Sequence, residues 1–327
     1  MRKLPCLLTA LWLLAGAANA QTILKIGDLA PAASPQGRAM DLVAEKLKAS
    51  NTGVEMRMFH GSQLGTLEAQ VQNVKLGLQD GVMEDVSWWQ PFTRDLGVTS
   101  VPFMFKDEAH LERWLKSPTF AHIQSDVIKN GAQRLLVPDV LWWRGPYRVL
   151  LATKPIKTLD DVSRMKLRLP ALAMMTRYWG TTGLGANTVN IPWGDTYLAL
   201  SQGTADAITS PFDLVVSMKF VEVAPNLMIT HEFPAVLVMS LSERRWQALN
   251  EKQQKAIMDA LAEGGRAFNA ELAKSVDQWM AEFKAAGGKV QEFDRTPFLA
   301  KVQELNKKFE TEGLWRAGLM DSIAQLR

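Results

Sequence analysis

Two arginines on short alternating runs are the residues best placed to do chemistry in this sequence. Arg148 opens the run Arg148-Val149-Leu150-Leu151, and Arg168 lies within Lys166-Leu167-Arg168-Leu169-Pro170. Around Arg168 the pattern has a period of two: Met165, Leu167 and Leu169 share one face, Lys166 and Arg168 the other, and Pro170 ends the run. An arginine stiffened by an apolar strand can grip a carboxylate through two parallel charged hydrogen bonds, because its guanidinium is a planar fork. A surface ion pair is the competing use of any arginine, so the neighbouring residues decide between the two.

Other reactive side chains are sparse. His60, His110, His122 and His231 are scattered and show no H-E-x-x-H or other ligand spacing, so no metal and no cofactor is expected. The only cysteine is Cys6, which leaves the rest of the chain without a thiol or a disulfide. No G-x-S-x-G elbow, P-loop or dinucleotide fingerprint occurs, and the chain is not expected to be an enzyme. Glu84-Asp85 ends a strand; the pair could serve a secreted hydrolase or lyase as acid and base, cap a helix, or bridge two lobes. Asp160-Asp161 after Thr158, and Asp195, read more simply as helix starts. Of the tryptophans, Trp88, Trp89, Trp142, Trp143 and Trp193 fall at strand ends or crossovers. Tryptophan is more often core than pocket, yet five in such places put one or two of them on the wall of a cleft.

The arginines sit inside a longer pattern. It comprises Lys154-Pro155-Ile156-Lys157-Thr158 with Asp160-Asp161, then Lys166 to Pro170, then Pro192-Trp193-Gly194-Asp195-Thr196-Tyr197-Leu198-Ala199-Leu200, and Gly203 with Asp206. This pattern resembles the solute-binding proteins of TRAP (tripartite ATP-independent periplasmic) transporters, of the dicarboxylate-binding type. The resemblance implies an exported subunit that captures a small organic acid and hands it to a membrane permease. It implies that Arg168 clamps the ligand carboxylate, that Arg148 is a second contact, and that Asp85 lies near the ligand. Trp193, Trp88 and Trp143 would add flat apolar surface. Ser210 stands where many members carry an asparagine, which removes polar reach and favours a monocarboxylate with an apolar or aromatic body over sugar acids and short dicarboxylates. A periplasmic sensor on the same fold stays open as a second reading.

The elements that must position these residues read as α/β. Arg2 and Lys3, the apolar run Leu7 to Ala15, and Ala18-Asn19-Ala20 read as a signal peptide cleaved after Ala20, which sends the chain to the periplasm. Its removal leaves 35 basic against 34 acidic residues with no basic run, so no nucleic-acid partner is expected. Strands and helices alternate from Ile23 onward, as in a sheet covered on both faces. Two extended runs, Gln133 to Leu141 and Met228 to Leu241, contain Pro138 and Pro234 and read as connectors between lobes. A helical pattern from Asn250 to Phe283 reads as one long helix or two nearly collinear ones, with Gly264-Gly265 as the weak point. The expectation is a monomeric, two-lobed periplasmic binding protein fold with hinge strands and a long lobe-spanning helix. Lobe I takes residues 21–145 and about 236–275, and lobe II takes 146–235 and about 276–327.

Overall fold

The computed structural model describes residues 21–145, 148–291, 294 and 296–327. The expected leader, residues 1–20, lies outside them, as do Pro146 and Tyr147 of the expected crossover and Phe293 of the expected last strand.

In chain order the first part runs β1 (Thr22–Asp28), α1 (Pro35–Ala49), β2 (Val54–Phe59), α2 (Leu67–Leu76), β3 (Gly81–Asp85), α3 (Glu108–Leu115), α4 (Pro118–Gly131), β4 (Gln133–Leu136) and β5 (Trp142–Trp143). The second runs β6 (Arg148–Ala152), α5 (Leu159–Ser163), β7 (Lys166–Leu169), α6 (Ala173–Trp179), β8 (Asn187–Asn190), α7 (Thr196–Ser201), β9 (Ala207–Pro211), α8 (Phe212–Ser217) and β10 (Asn226–Ile229). The chain then returns through β11 (Val236–Ser242), α9 (Glu243–Gln247), α10 (Glu251–Ala285), β12 (Lys289–Gln291), α11 (Thr296–Thr311) and α12 (Leu319–Ala324).

Local chemistry sets the boundaries. Ser34 caps α1 ahead of Pro35, and Thr66 caps α2. Thr158 with Asp161, and Asn250 with Gln253, form reciprocal capping boxes at the starts of α5 and α10. Gly77 ends α2 in the left-handed conformation at φ 75°. Leu78, which shares a helical period with Val71 and Val74, therefore falls past the helix end and is 65% exposed.

The strands form two sheets. The first has the order β2-β1-β3-β11-β4, with β5 also on β11; β1 runs parallel to β2 and β3, and β11 runs antiparallel to its neighbours. The second has the order β12-β10-β6-β9-β7-β8. Each expected connector is two short strands: the first breaks around Pro138 between β4 and β5, and the second breaks around Pro234 between β10 and β11. The chain thus leaves the first sheet after β5, returns to it through residues 230–235, and reaches the second sheet again through α10 and β12.

Helix α10 ties the two lobes together. Ile257, Leu261, Phe268 and Leu272 pack with α1 on the first sheet, Phe283 packs on the second, and Trp279 reaches both. It is one unbroken helix, and its glycines have a packing cause. A Cβ at Gly264 would sit 2.4 Å from Val43 Cγ2 and 2.5 Å from Trp142 Cζ2, so these positions let α1 and Trp142 approach the backbone. Trp142 donates its indole N–H to the Leu261 carbonyl at 2.8 Å across this contact. The C-terminal helices form a further bridge. Phe309 of α11 packs edge-on to Tyr178, and Phe298 touches both Trp179 and Phe103. The Ile323 carbonyl of α12 lies 2.7 Å from His110 Nε2 of α3.

A chain of polar groups, buried at Asp28 and Gln36 and reaching the surface at Asp41, fixes the ends of β1 and β2. Asp28, fully buried at the end of β1, accepts from Ala30 N at 2.8 Å and Gln36 Nε2 at 2.7 Å. Its other oxygen meets His60 Nδ1 at 3.2 Å, and His60 Nε2 meets Asp41 of α1 at 2.9 Å. The hydrogen bond to Asp28 is the largest influence on His60, and together with Asp41 it raises the imidazole from 6.5 to about 9 against the opposing effect of burial.

Two outcomes follow from this packing. Gly264→Ala should destabilise the protein by about 1–3 kcal/mol, the usual cost of overpacking, read as a lower denaturation midpoint at unchanged slope. His60 is raised on folding, so its stabilisation is fully present below pH 6.5 and is lost as pH rises through about 9. Melting temperatures measured from pH 6 to pH 10 should fall over that window in the native protein, and His60→Asn should flatten the fall.

Candidate functional site

A cavity of about 300 Å³ lies between the two sheets. It sits beyond the carboxyl ends of β1, β3 and β7, the side where open α/β sheets take ligands. The first lobe contributes Leu29, Leu67, Glu84, Asp85 and Trp88; the second contributes Arg148, Arg168, Leu172, Met175, Trp193 and Thr209; Arg144 and Phe233 come from the segments that join them.

Arg168 reaches this cavity because of the alternation in β7. Leu167 and Leu169 are fully buried in the core, which turns the arginine to the opposite face. The residue is 4% exposed. Its Nε donates to the Ile191 carbonyl at 2.8 Å, which fixes the plane of the guanidinium, and the Trp193 ring centroid lies 5.4 Å from Cζ. Among the described residues no carboxylate lies within 4.0 Å of it, and no hydrogen bond engages its terminal nitrogens. Burial, with Arg148 nearby, pulls its pKa down from 12.5 to about 9, which leaves the cation intact at neutral pH.

The other two arginines are compensated. Arg148 donates from Nε to Thr209 Oγ1 at 2.7 Å and meets Glu232 Oε1 at 3.4 Å; Thr209 passes its own proton to Glu232 at 2.7 Å. Phe233 lies under the guanidinium, 4.3 Å from Cζ. Arg144 is 2% exposed and is held by Asp213 at 3.3 Å, by Glu84 at 3.9 Å, and by the side-chain oxygen of Gln36. Gln36 in turn donates to Asp28, so the polar chain that closes β1 ends on a cavity residue.

Two carboxylates face this set from β3. Glu84 is 8% exposed; its Oε1 accepts from Asp85 N at 2.9 Å. Burial raises Glu84 from 4.5 to about 7, and Arg144 only partly opposes that rise. Asp85 both lines the cavity and caps the following turn, accepting from Ser87 N at 2.9 Å. Burial also raises Asp85, against Ser87, Arg148 and Arg144.

The structure therefore brings together Arg168, Arg148, Asp85, Trp88 and Trp193 of the residues singled out in the sequence. It does not bring Ser210 and Trp143 to them. Ser210 pairs with Val149 on the buried face of β9 and bonds to the Pro211 carbonyl at 2.9 Å; the period of two gives the cavity Thr209 and Pro211 instead. Trp143 points into a separate hollow with Phe103 and His231. Asp195 also lines the cavity, but it makes no capping bond, because the turn at Trp193–Asp195 runs straight into α7. Sequence reasoning missed Arg144, Gln36, Thr209 and Phe233. Thr209 was recoverable from the alternation in β9. Arg144 was not, because its partners Gln36, Glu84 and Asp213 are distant in the chain.

The sequence and the fold recur in known proteins. The chain is 26% identical over 301 residues to the sialic acid-binding periplasmic protein of Vibrio cholerae, covering 91% of each. It is 26% identical over 259 residues to the 2,3-diketo-L-gulonate-binding periplasmic protein of Escherichia coli, covering 79% of this chain and 76% of that one. The fold superposes with a TM-score of 0.85 on a TRAP periplasmic solute-binding protein from Ochrobacterium anthropi with bound L-fuconate, at 26% identity, covering 94% of this chain and 100% of that one. The family model of the bacterial extracellular solute-binding proteins, family 7, matches residues 26–312, and the chain belongs to that family.

Proposed function

We propose that this chain is the extracytoplasmic solute-binding subunit of a TRAP transporter, exported with cleavage after Ala20. It captures one small organic carboxylate between its lobes and delivers it to a membrane permease. The observation that carries this reading is Arg168: a buried guanidinium that opens on a cavity between two lobes and has no counter-carboxylate within 4.0 Å among the described residues. A buried charge is costly unless it is paired, and a ligand carboxylate is the missing partner. The relatives support it, since sialic acid, 2,3-diketo-L-gulonate and L-fuconate each carry one carboxylate.

One open guanidinium implies one carboxylate. Arg148 shares its charge with Glu232 and serves as a second, weaker contact, whereas Arg144 is closed by its own acids. Leu29, Leu67, Trp88, Leu172, Trp193 and Phe233 give the cavity broad apolar walls. The ligand body accordingly presents an apolar or flat face, and an aromatic wall adds about 0.5–1.5 kcal/mol beyond burial when it stacks.

A thermal-shift panel of aromatic acids, branched keto acids, four-carbon dicarboxylates and sugar acids supplies the ligand. With the tightest acid of that panel, Arg168→Ala should weaken binding by about 2–5 kcal/mol in calorimetry, as for the loss of one partner of a buried charged pair. Arg168→Lys should also lose much of the affinity, because an ammonium cannot reproduce the fork. Arg148→Ala should cost less. Near-native affinity in both Arg168 variants would refute the clamp.

Tryptophan fluorescence tests the walls. Ligand should perturb emission in the native protein and in Trp143→Phe, and the response should shrink in Trp88→Phe and Trp193→Phe. A response carried by Trp143 instead would place the ligand in the neighbouring hollow.

A further inference from the structure

The compensated and open charges are ordered along the cavity. Arg168 on β7 and Arg148 on β6 belong to the second sheet, with β9 between their strands. Glu84 and Asp85 end β3 of the first sheet, and Glu84 Oε1 lies 3.9 Å from Arg144 Nη1. Arg168 therefore faces the cavity from the second lobe, and Glu84 with Arg144 faces it from the side of the first. Glu84 is more than nine-tenths buried, and only its Oε1 is engaged, by Asp85 N and weakly by Arg144. Its Oε2 accepts no hydrogen bond among the described residues, although the side chain lines the cavity. The cavity thus has an unmet donor at one end and an unmet acceptor at the other.

We propose that Glu84 determines the ligand's charge class: its open oxygen accepts a hydrogen bond from a hydroxyl or ammonium group at the end of the ligand remote from Arg168, and it turns away acids that carry a second carboxylate there. This deepens the reading of Arg168 as the carboxylate clamp and rests on it. A ligand of this kind joins a cation on the second lobe to an anion on the first, so the same two bonds that select it also hold the lobes together. A second ligand carboxylate would meet Glu84 and Asp85 in a desolvated space, where juxtaposed like charges are strongly unfavourable. Arg144 does not cancel that repulsion, because its one positive charge is shared between two acids, Asp213 and Glu84.

The charged groups around Glu84 are Arg144 from the crossover, Asp28 from β1, Asp85 beside it and, through Arg144, Asp213 from α8; β11 presents Val238 opposite. Protonation near pH 7 removes the repulsive charge. Acids with a second carboxylate should therefore bind better below pH 7 and lose affinity as pH rises through it, by up to about tenfold per unit.

Calorimetry with matched acids separates the possibilities. Butanoate, 4-hydroxybutanoate, 4-aminobutanoate and succinate share one skeleton and differ only at the far end; hexanoate, 6-hydroxyhexanoate, 6-aminohexanoate and adipate extend the reach. At pH 8 the native protein should prefer the hydroxy or amino acid to the dicarboxylate by about tenfold or more. Glu84→Gln, which keeps the shape, should cut that preference to about threefold or less, chiefly by admitting the dicarboxylate, and should abolish its pH dependence. Glu84→Asp, which keeps the charge, should retain the discrimination. Arg168→Ala should weaken every member of the series. An unchanged preference in Glu84→Gln, with Arg168→Ala still defective, would overturn the role of Glu84 and leave the clamp standing. Retained affinity in Arg168→Ala would overturn the clamp itself. Failure of the native protein to bind any hydroxy or amino acid of either series would overturn the proposal as well.

Discussion

The constraint on which the rest of this structure depends is a guanidinium held in a nearly dry place with no acid within 4.0 Å among the described residues. Arg168 is 4% exposed, and among the described residues the Ile191 carbonyl is its one hydrogen-bond partner. Such an arrangement persists only if the surrounding fold is rigid enough to forbid the side chain from swinging out to water. β7 supplies that rigidity. It is a middle strand, paired with β9 on one side and β8 on the other, with Leu167 and Leu169 anchored in the core. The Trp193 ring, itself packed edge-on to Phe220, gives the cation a polarisable neighbour without neutralising it.

The three cavity arginines differ by degree of compensation, and this gradient gives the cavity a direction. Arg144 is surrounded by Asp213, Glu84 and Gln36 and works as part of the wall. Arg148 is half-satisfied, because Glu232 and Thr209 hold its inner side. Arg168 is open. Under the proposed function a carboxylate would find only one end of the cavity strongly favourable, which orients the rest of the molecule before any specific contact is made. Electrostatic preference of this kind selects register and partner more than it adds affinity.

Much of this was legible in the sequence, and what was not has identifiable causes. Arg168 was readable because a strand's period of two needs only five residues to show itself, and Pro170 marked its end. The helix starts after Thr158 and at Asn250 were readable for the same reason: in the capping boxes that the structure shows there, every partner lies within three residues. Ser210 was misplaced by one position, and in a strand one position is the opposite face. Gly264 and Gly265 read as a weak point because glycine lowers helix propensity, whereas their use is spatial: Val43 and Trp142, both more than a hundred residues away, fill the space a Cβ would take. The Arg144 cluster joins residues from α1, β3 and α8, and no local pattern could announce it.

The joining segments carry charge as well as chain. Arg144 lies in the first crossing and Glu232 in the second, and both are tied to groups that line the cavity. Glu232 is fully buried; its carboxylate holds Arg148 and Thr209, while its backbone carbonyl accepts from Phe103 of the first lobe. A shift of Arg148 toward a ligand would therefore be felt at Glu232, and from there in the backbone contact between lobes. Phe103, the donor in this contact, and His231, next to its acceptor, both adopt positive φ, at 61° and 47°, a conformation costly for side chains of their size. One strained residue in the crossing and one bonded against it make this contact the place where a small rearrangement of charge can be exchanged for a change of backbone angle. Under the proposed function, the charges that select the ligand and the segments that would let the lobes move are then parts of one connected set, with α10 and Phe298 of α11 holding the lobes in reach of each other while it changes.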